Sequence, residues 1–105
     1  MPLHPIIEQA QISVDFPDKA YIGGFARDSQ FAVSADRDSV GLRLVRPSED
    51  RREAALHLHY GLLADVLCEL AHSLAAREPL DDAHRAALSA AAKELTAALA
   101  PAAQG

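Results

Sequence analysis

Tryptophan is absent from this sequence, and aromatic residues make up only 5% of it. A core built from such a chain is aliphatic and alanine-rich, so its elements approach closely without large anchors. There is one cysteine, Cys68, which excludes an intramolecular disulfide and hence a disulfide-stapled scaffold. Long apolar runs are missing: no stretch approaches the roughly 18 uncharged apolar residues that a spanning helix needs. The opening MPLHPIIEQAQ lacks the basic start and apolar run of a signal peptide. Positive charge is scarce as well. Ten Lys and Arg stand against fifteen Asp and Glu, for a net charge of −5, which disfavours binding to nucleic-acid phosphates. These features predict a cytoplasmic protein with neither nucleic-acid nor membrane partners. Arginine outnumbers lysine eight to two, and the C-terminal third is rich in alanine, as in GC-rich bacterial genes.

Half of the 105 residues are hydrophobic, enough for one folded core. Residues 1–10, with Pro2 and Pro5, predict an N-terminal arm. Residues 11–100 predict a single α+β domain, and 101–105 a frayed tail. QISVDF alternates with period two, Ile12, Val14 and Phe16 on one face and Gln11, Ser13 and Asp15 on the other. Pro17-Asp18-Lys19 is a turn. AYIGGF makes a second strand, whose Gly23-Gly24 pair predicts a bulge or a close backbone approach. QFAVSA, with Phe31, Val33 and Ala35 in register, makes a third. VGLRLVR, with Val40, Leu42 and Leu44 in register, makes a fourth. The triplet Arg-Asp-Ser occurs at 27–29 and at 37–39, a ten-residue spacing that suits the successive turns of an antiparallel meander.

PSEDRREAALHLHYGLL fits two structures. In one, Ser48 caps a helix running from Glu49 to about Arg77. In the other, EAALHLH is a fifth strand, with Ala54, Leu56 and Leu58 facing in and Ala55, His57 and His59 facing out, and Gly61 opens a shorter helix. Gly61 inside a helix would cost about 1 kcal/mol relative to alanine. A helix of nearly 30 residues would be about 42 Å long, overshooting strands of about 20 Å. The strand is preferred. Helix follows, with Leu63, Val66, Leu67, Leu70 and Leu74 on an apolar face. Gly61, Ala64, Cys68, Ala71 and Ala75 form a second stripe of small residues. Glu78-Pro79 breaks the chain, Asp81 caps a last helix, and Pro101 ends it. The predicted architecture is α+β: a four- or five-stranded antiparallel meander followed by a C-terminal αα-hairpin packed on one sheet face. The second stripe lacks a partner within so short a chain, which predicts a homodimer.

Three groups of side chains invite a functional assignment. Asp65, Glu69 and His72 share one side of the first helix, and Glu-x-x-His is a spacing used by di-iron carboxylate bundles. Such sites draw carboxylates from several helices, and only Glu94 lies deep in the last one. A solvated helix face is the plainer account, with a divalent metal as the alternative. Cys68 has His72 a turn away, but an activated thiol also needs an orienting group and an oxyanion hole. A small buried hydrophobe is the simpler assignment. His57 and His59 can share an ion only on a strand, where they lie about 7 Å apart on one face. Arg43 then joins them, with Ser13, Gln30 and Ser34 further along, as a candidate binding surface.

Arg43, Arg46, Arg51 and Arg52 are interleaved with Glu49, Asp50 and Glu53, the pattern of a nearly neutral charged loop. Gly23-Gly24 does not precede a helix and is no phosphate loop. No serine nucleophile elbow, zinc cysteine cluster or acid–base carboxylate pair is present. The sequence thus favours a non-enzymatic interaction or assembly protein over a metal-binding protein using Glu69 and His72 or His57 and His59. A small-ligand site between sheet and helices is a third possibility.

Overall fold

The computed structural model describes residues 2–101; the end of the expected C-terminal tail lies outside them. The fold is α+β, with antiparallel strands followed by two helices. The strands are β1 (His4–Pro5), β2 (Ala10–Phe16), β3 (Lys19–Phe25), β4 (Gln30–Ala35), β5 (Ser39–Arg46) and β6 (Arg52–His59). The helices are α1 (Tyr60–Ala75) and α2 (Asp82–Leu99). The chain divides into two compact units, one ending at Val66 and the other beginning at Leu67.

The alternating segments are strands as their period requires, and EAALHLH is the last of them. The six strands form two sheets. β1, β4, β5 and β6 make a four-stranded sheet in that order, and β2 and β3 make a separate hairpin. The sequence suggests that β3 would continue into β4 as its neighbour, but the two are not paired. The reason lies in the arm. His4 and Pro5 pair with Phe31 and Gln30 at the start of β4. The Ile6 amide donates to the Ser29 carbonyl at 3.0 Å, and Arg27 Nε donates to the Ile7 carbonyl at 3.1 Å. The His4 and Phe31 rings lie 5.4 Å apart. The arm thus holds the start of the β4 edge that β3 would have used.

The two Arg-Asp-Ser triplets make different turns. At 36–39, the Asp36 amide donates to the Ser39 carbonyl at 2.8 Å and closes the β4–β5 hairpin. At 26–29, the Ser29 amide donates to the Ala26 carbonyl at 2.9 Å, and the chain passes from one sheet to the other.

Register assigns the faces, because directly paired residues point to the same side of an antiparallel sheet. Phe31, Leu44 and Ala54 align across the sheet, as do Val33, Leu42 and Leu56. This is the apolar face that the alternation predicts. Among the described residues the buried hydrophobics are Phe25, Ala32, Leu44 and Val45. Val33 and Leu56, on this face, remain 52% and 51% exposed.

The helices begin and end within about two residues of where the sequence indicates. Asp81 is the N-cap of α2, its carboxylate accepting from the His84 amide at 3.1 Å and satisfying a donor that the first turn leaves orphaned. No residue of either helix is buried. Among the described residues, no helix is long and apolar enough to cross a membrane.

Candidate functional site

The polar face of the four-stranded sheet gathers most of the residues expected there. Arg43 pairs with Ala55, Gly41 with His57 and Ser39 with His59, while Gln30 and Ser34 align on the same side through Val45 and Gly41. Ser13 does not join them, because β2 belongs to the other sheet. Arg43 is engaged within this face. Its guanidinium holds Glu53, a diagonal neighbour across β5 and β6, with Nε 2.7 Å from the carboxylate. Arg51 reaches the second oxygen of the same carboxylate at 3.0 Å. The hydrogen bond from Arg43, with Arg51 in support, holds the Glu53 carboxyl below the ordinary carboxylate range.

His57 lies over Gly41. A Cβ built on Gly41 would sit 3.3 Å from His57 Cε1, so the glycine makes room for the ring. On α1, His72 Nδ1 is 4.0 Å from Glu69 Oε1, and both side chains are largely exposed. Among the described residues, no three His, Cys, Asp or Glu side chains converge on a point where a metal would sit. Neither the Asp65, Glu69 and His72 group nor the His57 and His59 pair gains a further ligand. Cys68 corrects the sequence expectation: it is free and exposed, because the small-residue stripe on which it sits is uncovered.

One concavity was not anticipated. It is a cleft of about 690 Å³ lined by the β2–β3 hairpin and by the apolar face of β5 and β6. On the hairpin, Ile12 pairs with Gly23 and Val14 with Tyr21, so Ile12, Val14 and Tyr21 share one side. Leu42, Leu44 and Leu56 line it from the sheet. Arg52 spans the two sheets. Its Nη1 donates to the Gly24 carbonyl at 2.9 Å, and its Cδ would lie 3.2 Å from a Cβ on Gly23. The close backbone approach expected at Gly23-Gly24 is therefore the seat of an arginine.

Compared with known proteins, the chain matches no family model, no curated protein and no solved structure.

Proposed function

We propose that this chain is a small non-enzymatic assembly protein that associates as a two-fold homodimer through α1. The observation that carries the proposal is the uncovered apolar stripe of that helix. Val66, Leu67 and Leu70 are 47%, 41% and 45% exposed, and Leu63 and Leu74 are only half-buried. A helix with such a stripe gains stability by burying it, and contiguous apolar surface of this kind marks interaction sites. A second copy supplies a matching surface, and two-fold pairing is the commonest arrangement. The small residues beside the stripe, from Gly61 to Ala75, allow the backbones to approach. We read the protein as cytoplasmic, in keeping with its net charge of −5 and single cysteine.

Light scattering at micromolar concentration tests this directly. The expected mass is twice the 11.2 kDa of one chain. Leu70→Glu, at an exposed position that leaves the chain's own packing intact, is expected to give monomers with an unchanged circular dichroism spectrum. A monomer mass for the unaltered protein would overturn the proposal.

A further inference from the structure

We propose that the cleft between the β2–β3 hairpin and the four-stranded sheet binds an amphiphilic monocarboxylate, its head group at Arg52 and its aliphatic tail along Ile12, Val14, Phe25, Leu42, Leu44 and Leu56. The residues that line this site all lie between 10 and 56, and it does not depend on dimer formation. The cleft's volume, about 690 Å³, falls within the range of small-molecule pockets, about 300–1,000 Å³. Its lining is mostly aliphatic, which suits a hydrocarbon tail.

The charge at its edge selects the head group. Arg43, Arg46, Arg51 and Arg85 each have a carboxylate partner, whereas Arg27 and Arg77, outside the cleft, donate to backbone carbonyls. Arg52 has none among the described residues; its side chain donates only to the Gly24 carbonyl. Directly across the β5–β6 ladder stands Arg46. Like charges directly opposite one another destabilise a strand pair. Asp50 at 3.4 Å and Asp28 at 4.0 Å offset the charge of Arg46, although its Nε is buried without a hydrogen-bond partner. Among the described residues, no carboxylate does the same for Arg52. Glu53 adjoins the cleft in sequence and lining, but it pairs with Val45, on the opposite face from Arg52, and its carboxylate is held by Arg43 and Arg51. An apolar cleft with one uncompensated guanidinium is thus built into an acidic protein. The guanidinium fork matches a carboxylate, and a single charge matches a monoanion.

Calorimetric titration of the full chain with dodecanoate, dodecanol and dodecyltrimethylammonium, each below its micellar concentration, tests the site. Dodecanoate is expected to bind one per chain and at least about tenfold more tightly than dodecanol, the scale of a charge-assisted hydrogen bond. The cation is expected not to bind. Arg52→Gln should bring dodecanoate down to the level of dodecanol and leave dodecanol unchanged. Leu56→Glu, at a half-exposed position, should abolish binding of dodecanoate. If Arg52→Gln fails to fold, Gly23→Ala replaces it, since the added methyl pushes Arg52 from its seat and should weaken dodecanoate selectively. Absence of dodecanoate binding, equal binding of all three probes, or indifference to these substitutions would overturn the proposal. So would dodecanoate affinity that falls as protein concentration rises, which would make a second copy the occupant of the cleft.

Discussion

The Tyr60 hydroxyl donates to the backbone carbonyl of Asp36 at 2.6 Å. Alongside it, the Tyr60 amide donates to the Asp38 carbonyl at 3.2 Å. The first residue of α1 is therefore fastened twice to the β4–β5 turn, by main chain and by side chain. This fixes where strand β6 ends and helix begins. It also satisfies one of the amide groups that a helix start leaves without an intrahelical partner.

Tyr60→Phe removes the side-chain half of this fastening and keeps the ring. The expected loss of stability is about 0.5–1 kcal/mol, the lower part of the range for one hydrogen bond, because the residue is partly exposed. Hydrogen exchange at the Tyr60 amide should quicken. Unchanged stability and exchange would show that the hydroxyl bond contributes nothing.

Gly41 and His57 form a second testable pair. Gly41→Ala brings a methyl within 3.3 Å of the His57 ring, which must move. The expected signature is energetic coupling: Gly41→Ala destabilises when His57 is present and costs less in a His57→Ala background. A coupling of at least about 0.5 kcal/mol is expected for residues in contact. Additive effects in the double-mutant cycle would mean that the ring relaxes freely.

Glu53 makes a prediction about acid. Its carboxyl is held below the ordinary range in the folded chain, by the Arg43 hydrogen bond above all. A carboxyl with a depressed folded pKa contributes stability that is fully present above its unfolded pKa. That contribution is lost as pH falls through the folded value. Glu53→Gln should therefore lower stability at neutral pH and flatten its decline below about pH 4.3, the ordinary range of a glutamate. Acid denaturation curves that superimpose for the two proteins would refute this.

Gly61 offers a stabilising change. Nothing lies within 4 Å of a Cβ built there, and its φ is not positive, so alanine fits without strain. Gly61→Ala is expected to raise stability by about 0.5–1 kcal/mol, through helix propensity and a less flexible unfolded chain. Chemical denaturation measures it, and a destabilised variant would contradict the open space around this residue.

Much of the fold was legible because period two survives in nearly every strand. Val40, Leu42 and Leu44 declared a face, and Ala54, Leu56 and Leu58 declared its continuation. Gly61 decided the one contested segment, since a helix through it would have carried both a propensity cost and an excessive length. The division into two sheets was not legible. It turns on His4 and Pro5, and a two-residue strand containing a proline is too short to show any period. The role of Arg52 was hidden for a different reason. In sequence it adjoins Glu53 and follows Asp50 by two residues, so its charge looked compensated. Strand alternation sends Glu53 to the opposite face and leaves Arg52 facing the cleft. Register in space, which one-dimensional charge counting ignores, separates neighbours in the chain. Cys68 was misplaced because small residues are usually covered, and here their stripe is open.

The exposure of Cys68 has a chemical consequence. Each chain carries one thiol, so any disulfide that thiol forms must link two molecules. Mild oxidation would then leave a covalent record of how copies meet. If α1 helices pair about an axis near Cys68, the two Cα atoms come within the roughly 4.4–6.8 Å that a disulfide spans. Cross-linked dimers on a non-reducing gel would mark the position of that axis along the helix.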